Sequence, residues 1–155
     1  ESLEDFAGAG RSGPYVADAA LGRRIRERLA ASAGPQFVFA VTIEAHGPWT
    51  ADRFRGWAGP RPAASDPLSV YLWHLRHMDA LFTMLAGELA RLPRPVLLCG
   101  YGDHVAGLPG VGGPGVADPT ATDWFLWDSR GGAGPQRTLR PEELAGVLLA
   151  ALGKA

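Results

Sequence analysis

Two almost continuous apolar runs, joined by a long helical pattern, dominate the order of hydrophobic and polar residues along the chain. The runs cover residues 37–43 and 96–100. Apolar runs without polar alternation are typical of strands in a parallel sheet that is covered on both faces. The pattern between them predicts a helix that is capped by Ser65 or Asp66, has Pro67 in its first turn and ends near Arg91. The whole stretch therefore predicts a right-handed βαβ unit.

Shorter elements are predicted on either side of this unit. Asp18 is a good N-cap for a helix that reaches about Ser32. Residues 124–127 predict a third strand, and a last helix should begin at Arg140 with Pro141 in its first turn. Together these elements predict an α/β fold of three layers, in which helices flank a mainly parallel sheet, within a single domain covering residues 1–155.

Composition narrows the classes of function. The 155 residues are 46% apolar and 20% charged, as expected for a soluble globular domain with a substantial core. The net charge of −1 gives no electrostatic basis for binding nucleic acid. No apolar run is long enough to span a bilayer. The chain begins at Glu1 rather than at Met, which leads us to expect a piece of a longer protein.

Polar turns follow both apolar runs, and they carry the candidate site. His46 follows the first run, while Gly102, Asp103 and His104 follow the second. Because parallel neighbours end at the same edge of a sheet, His46, Asp103 and His104 are expected to meet there. A carboxylate beside an imidazole suits a divalent metal ion. His46 could hold an anionic oxygen of a substrate or protonate a leaving group. The simpler alternatives are an Asp-capped turn and a His that caps a strand end.

Two other features leave alternatives open. His74 and His77 lie three residues apart on the long helix and could bind a metal, but no third ligand is near them in the sequence. Partly exposed structural histidines are the favoured interpretation. The loop that contains Trp49 and Trp57 could face a sugar or an anion, or it could cover the sheet edge. We favour packing for this loop.

Several of these residues occur in the order found in a known family. An apolar strand leads into Thr-Ile-Glu-Ala-His-Gly-Pro at residues 42–48, a helix carries Tyr71 and Asp79, and a second strand leads into Gly-Asp-His at residues 102–104. Over roughly residues 13–130, the chain resembles the C-terminal half of the sulfatase-like branch of the alkaline phosphatase superfamily. It is most similar to the lipoteichoic acid synthase and phosphoglycerol transferase type, and to related enzymes encoded with bacterial capsule genes.

The resemblance implies a metal-dependent hydrolase or transferase acting on a phosphate or sulfate ester, in assembly or modification of a bacterial surface polysaccharide. By the same resemblance, Asp103 and His104 bind the divalent cation, with Mn²⁺, Zn²⁺, Mg²⁺ and Ca²⁺ as the alternatives. His46 contacts the substrate phosphate or sulfate. The substrate could be linked to a glycan or to a lipid, and the protein could act at the cell envelope or in the cytoplasm.

The chain departs from the family pattern at important points. The family's nucleophile and its remaining acidic metal ligands lie in an N-terminal half that has no counterpart here. Glu44 and Ala45 replace the small polar residues usual before the His. We therefore expect this piece alone to be inactive and, with an uncovered sheet edge, to self-associate. The rival interpretation is a non-catalytic domain that keeps the fold and binds a glycan or a protein through the loop with Trp49 and Trp57.

Overall fold

The structure is a computed structural model that describes residues 3–55, 57, 59–108, 118, 120–131 and 136–153. The chain divides into two compact units. Unit 1 comprises Glu1–Leu85 and Ala106–Gly115, and unit 2 comprises Ala86–Val105 and Val116–Ala155. The single domain over residues 1–155 stays a prediction. Among the described residues, no helix combines the length and the apolar character that crossing a membrane requires.

Unit 1 is built from a small hairpin and two helices. A 3₁₀ turn at Leu3–Phe6 precedes two short strands, which pair antiparallel around a turn where Gly13 has a φ of 60°. A second 3₁₀ turn, Ala51–Phe54, lies between the helices in the chain. The regular elements are β1 (Arg11–Ser12), β2 (Tyr15–Val16), α1 (Asp18–Ala30) and α2 (Pro67–Leu89), whose last residues extend into unit 2.

The N-terminus of α1 is capped differently from the prediction. The N-cap is Ala17, which forms no side-chain cap, and Asp18 is the first helical residue. The prediction of Asp18 as the N-cap is therefore wrong. The backbone N–H of Asp18 instead donates to the carboxylate of Glu44, 2.7 Å away. A carboxylate from a distant loop thus satisfies a helix-end donor that a local side chain would otherwise satisfy.

Helix α1 closely approaches side chains of α2 at Gly22. Gly22 is buried on α1, and a Cβ at this position would collide with the side chains of Leu81 and Met84 on α2. Asp66 caps α2 as predicted, because its carboxylate accepts the N–H of Ser69 at 3.0 Å. The buried apolar residues described in unit 1 are Val16, Ala20, Phe54, Val70, Leu81, Leu85 and Leu108.

The strand predicted at residues 37–43 is not observed. The segment carries no strand pairing, and Phe37, Phe39 and Val41 are 85%, 65% and 63% exposed. An apolar run becomes a buried strand only where a neighbouring strand supplies hydrogen bonds and other elements cover its faces. No described residue pairs with this segment in that way.

Unit 2 is an antiparallel hairpin with a helix against it. β3 (Leu97–Tyr101) pairs with β4 (Trp124–Asp128), and α3 (Pro141–Leu152) contacts β3. Each element lies within about a residue of its predicted bounds. Arg130 follows β4 and donates to the carbonyl of Ala151 at 2.9 Å, which joins the hairpin to α3. Because the pairs among the described strands are antiparallel, the mainly parallel sheet is not confirmed.

Candidate functional site

His46 lies on a turn that follows the segment at residues 37–43. Its backbone N–H donates to the carbonyl of Ile43 at 3.1 Å, and its side chain is exposed. Nδ1 of the ring is 2.9 Å from the carbonyl oxygen of Gly47, and the Tyr15 hydroxyl donates to the same oxygen at 2.5 Å. Since a carbonyl only accepts, Nδ1 carries the proton of the neutral ring. A solvent-accessible, hydrogen-bonded imidazole can contact an anion or transfer a proton.

A buried arginine holds the backbone of this turn. Arg53 is 2% exposed and donates to the carbonyl of His46 at 2.5 Å and to the carbonyl of Glu44 at 2.6 Å. Its guanidinium also lies over the ring of Tyr15, 4.7 Å from the centroid. Burial lowers the pKa of Arg53 from its usual value. The two hydrogen bonds fix the chain on both sides of Ala45, with the His46 side chain exposed and the Glu44 side chain buried.

The Glu44 carboxylate is the centre of a buried hydrogen-bond cluster. Oε1 accepts from Nδ1 of His77 at 2.5 Å and from Nδ1 of His74 at 3.2 Å, and Oε2 accepts the N–H of Asp18. Burial would raise the Glu44 pKa, but the hydrogen bonds from the two histidines outweigh it and hold the pKa well below its usual value. The hydrogen bond to Glu44 also raises the pKa of His77.

Sequence reasoning finds the two histidines but not their partner. His74 is fully buried and stacks on Phe54, with ring centroids 5.7 Å apart, so the prediction of a partly exposed residue is wrong for His74. His77 is partly exposed, as predicted. Glu44 joins the pair from 30 residues away along the chain. The signal for Glu44 is its departure from the family pattern, since a charged residue stands where small polar residues are usual.

Asp18 places a second buried carboxylate beside this cluster. Its side chain is 1% exposed, and neither carboxylate oxygen has a hydrogen-bond partner among the described residues. Burial and then the charge of Glu44 raise the pKa of Asp18 from 3.8 to about 6. Above that pH, the ionised Asp18 is unfavourable in the folded protein unless a cation neutralises it.

Asparagine at position 18 is expected to raise stability at neutral pH but not at acid pH. Folding raises the pKa of the Asp18 carboxyl, so its contribution to the stability of the protein is fully present below the unfolded pKa of 3.8. This contribution is lost as the pH rises through about 6, because the carboxyl then ionises inside the folded protein. In a chelating buffer, Asp18→Asn should match the wild type near pH 4. At about pH 7.5 it should be more stable by up to about 3 kcal/mol, because one pKa unit corresponds to about 1.4 kcal/mol. Urea denaturation measures the difference.

Glu44 and His77 are present in both proteins, so the difference in stability reports the charge of Asp18 together with its interaction with these two neighbours. Asp52→Asn is the matched control, since Asp52 is an aspartate of the same unit with a side chain 77% exposed. It should leave the pH dependence of stability unchanged. An equal difference between Asp18→Asn and the wild type at both pH values would contradict the expectation.

Asp103 and His104 follow β3 on an exposed turn of unit 2. Their side chains are 77% and 61% exposed. Oδ1 of Asp103 accepts the backbone N–H of His104 at 3.0 Å and lies 3.8 Å from Nε2 of the same residue. Nδ1 of His104 is 3.0 Å from the carbonyl oxygen of Val105. That hydrogen bond puts the proton of the neutral ring on Nδ1.

This pair fits two ligand positions of a divalent cation. With the proton on Nδ1 of His104, Nε2 is the basic nitrogen, which is the arrangement that metal-binding histidines adopt when a carbonyl accepts the other N–H. Two ligand atoms bonded to one ion at about 2.0–2.2 Å lie roughly 3–4 Å apart. The 3.8 Å between Nε2 and the Asp103 carboxylate agrees with that spacing. His46 belongs to unit 1, so its predicted meeting with this pair stays a prediction.

The two tryptophans of the predicted loop use their indole N–H groups within the chain. Trp49 donates to the carbonyl of Ala45 at 2.9 Å and packs edge-on against Tyr71, with ring centroids 5.4 Å apart. Trp57 donates to the carbonyl of Pro60 at 2.8 Å. These contacts agree with the packing interpretation of the loop.

Comparison with known proteins assigns the chain to a family. The family model described as Sulfatase matches residues 2–143. The capsular polysaccharide biosynthesis protein RkpI of Rhizobium meliloti (strain 1021) is 32% identical over 118 residues, which cover 75% of this chain and 20% of that protein. The chain therefore spans about a fifth of the length of this relative. No solved structure gives a significant match. Because the family match extends over most of its residues, the chain belongs to the sulfatase family of the alkaline phosphatase superfamily, whose fold is α/β.

Proposed function

We propose that the chain is part of a metal-dependent sulfatase-like hydrolase or transferase that acts on phosphate or sulfate esters. Membership of the sulfatase family supports an ester substrate of this class. The name of the relative RkpI supports a role in making or modifying a bacterial surface polysaccharide. The lipoteichoic acid synthase and phosphoglycerol transferase type is the proposed subtype, and a substrate linked to a glycan or a lipid is part of the same proposal.

The observation that carries this proposal is the geometry of Asp103 and His104. A carboxylate and an imidazole stand together at the end of a strand, both open to solvent, and the imidazole has its Nδ1 bonded to a carbonyl. A capped turn would explain the hydrogen bond from the His104 N–H to Asp103. A capped turn would not require Nε2 of His104 and a carboxylate oxygen of Asp103 to lie at the distance that separates two ligand atoms of one metal ion.

Each residue has a defined role in the proposed reaction. Asp103 and His104 would hold the cation, which when bound lowers the pKa of an attacking hydroxyl and polarises the ester. His46 would neutralise charge on the transferring group or protonate the leaving group. Tyr15 and Arg53 would keep the His46 turn in place through their hydrogen bonds to its carbonyl groups.

Removal of metal is expected to abolish ester cleavage by the full-length gene product, because the attacking hydroxyl then loses its activation. The protein would be assayed before and after EDTA treatment with 4-nitrophenyl phosphate, bis(4-nitrophenyl) phosphate and 4-nitrophenyl sulfate. We expect activity to return with at least one of Mn²⁺, Zn²⁺, Mg²⁺ and Ca²⁺. The ester that is cleaved distinguishes a phosphate from a sulfate substrate.

Full activity after exhaustive chelation would contradict metal dependence. If no ester were cleaved with any of the four ions, the rival non-catalytic domain that binds a glycan or a protein would be favoured.

Self-association of the isolated chain is a further part of the proposal, and the exposed apolar side chains of Phe37, Phe39 and Val41 would supply its surface.

A further inference from the structure

Three potential metal ligands lie close together in unit 1, one on the turn before His46 and two on α2. The ligand atoms of Glu44, His74 and His77 all lie within 4.8 Å of one another. Glu44 and His74 are buried, whereas His77 is 32% exposed and gives the cluster a side open to solvent. Two imidazole nitrogens with one carboxylate oxygen form a donor set that zinc commonly selects.

Two of the three distances between these atoms can be compared with those of a tetrahedral site. Zinc bonds of about 2.0–2.1 Å to nitrogen and oxygen place tetrahedral ligand atoms roughly 3.3 Å apart. Oε1 of Glu44 is 3.2 Å from Nδ1 of His74 and 2.5 Å from Nδ1 of His77. The first distance already agrees, and the second requires His77 to move by less than about 1 Å. That movement is open to His77, because its side chain is only half-buried.

Hydrogen bonding alone leaves one carboxyl group of this region without a partner. The Asp18 side chain is 1% exposed and neither of its oxygens has a hydrogen-bond partner among the described residues, while the backbone N–H of the same residue donates to Glu44. Two buried carboxylates in a small volume repel each other, and an unpaired buried carboxylate is costly. The hydrogen bonds from the two imidazoles serve only Glu44. A divalent cation bound to Glu44 would place positive charge in this region, where the buried Asp18 carboxyl group lacks a partner among the described residues.

We propose that Glu44, His74 and His77 bind a divalent transition metal, for which their chemistry selects Zn²⁺, with Asp18 as the neighbouring counter-charge. These residues are separate from Asp103 and His104, so the proposal does not rest on the proposed function. The ion joins the turn that carries His46 to α2, and Oε2 of Glu44 joins the same turn to the N-terminus of α1. Its role is to fix that turn in unit 1.

The test uses the full-length gene product carrying Asp103→Asn and His104→Gln, so that a cation at that pair cannot contribute. The metal-stripped protein is titrated with Co²⁺, whose visible absorption reports four-coordinate geometry, and Zn²⁺ is then added as competitor. We expect one equivalent of Co²⁺ with a tetrahedral spectrum, displaced by Zn²⁺. Zn²⁺ should also raise the unfolding temperature, because it binds the folded state selectively. A folded protein that binds no Co²⁺ would overturn the proposal.

His77→Gln in the same background removes the half-exposed ligand and should weaken Co²⁺ binding by about 100-fold or more. Arg76→Gln is the matched control, since Arg76 is exposed on the same helix and should leave binding unchanged. Binding by His77→Gln with unchanged affinity and spectrum would also refute the site. If His77→Gln does not fold, the Co²⁺ stoichiometry and spectrum of two other proteins decide whether the site exists. These are the protein that carries only Asp103→Asn and His104→Gln, and the same protein with Arg76→Gln.

Discussion

Replacing Asp103 with asparagine is expected to lower ester cleavage by the full-length gene product by about 10³-fold. The amide keeps the shape of the side chain but loses its charge, so the site holds a divalent cation less tightly. A catalytic cation contributes several kcal/mol to transition-state stabilisation, and about 4 kcal/mol corresponds to a factor of 10³ in rate. Measurements of kcat and KM at several metal concentrations should show part of the loss recovered as metal is raised.

Asp123→Asn provides the matched control for this prediction. Asp123 is also an exposed aspartate of unit 2, next to β4, and its replacement should leave activity unchanged. Both variants should unfold at the wild-type temperature, because the Asp103 side chain is 77% exposed. Wild-type activity in Asp103→Asn at limiting metal would contradict the assignment of Asp103 as a ligand of the catalytic cation.

Arg53→Met is expected to destabilise the protein by about 3 kcal/mol or more. The carbonyl groups of Glu44 and His46 would lose their donors in a buried region, at roughly 1–3 kcal/mol each. The contact with the Tyr15 ring would be lost as well, at about 0.5–2 kcal/mol. Methionine retains much of the apolar stem without a donor. Urea denaturation followed by circular dichroism measures the change.

Two companion variants sharpen the interpretation of Arg53→Met. Arg55→Met removes a side chain that is 81% exposed and forms an ion pair with Asp52, so it should change stability little. Arg53→Lys should give an intermediate loss, because one ammonium cannot reproduce the planar two-pronged donation to both carbonyl groups. Similar unfolding midpoints for Arg53→Met and Arg55→Met would contradict the role assigned to the buried guanidinium.

The local elements of the fold could be predicted from the sequence because their determinants are close together in the chain. Helical periodicity, with Pro67 and Pro141 in first turns, places α2 and α3, and apolar runs bounded by turn residues place β3 and β4. The turn with Asp103 and His104 also follows directly from its position after an apolar run. The exposure of both side chains and the Nδ1 contact with Val105 add the geometry that the sequence lacks.

The strand predicted at residues 37–43 fails for a physical reason. The apolar run shows only that these residues can be buried, whereas a strand also requires a partner with matching backbone groups. Among the described residues, β3 pairs with β4 instead, and the direction of that pairing is not contained in either run. Long-range contacts determine which strands become neighbours. The repeat of apolar residues, every 2 residues in a strand or every 3.6 in a helix, carries no information about these contacts.

Local sequence patterns are enough to predict the approximate bounds of the helices and of the two strands of unit 2, and to locate the Asp-His turn. Contacts between distant parts of the chain bring Glu44 to His74 and His77, direct its carboxylate to the N–H of Asp18, and place Arg53 across the turn before His46. The reason is that hydrogen bonds to a buried carboxylate form between groups that packing brings together, however far apart they are in the chain. Local patterns specify the elements, and contacts of the turn that carries Glu44 with α2 and with the start of α1 form the cluster.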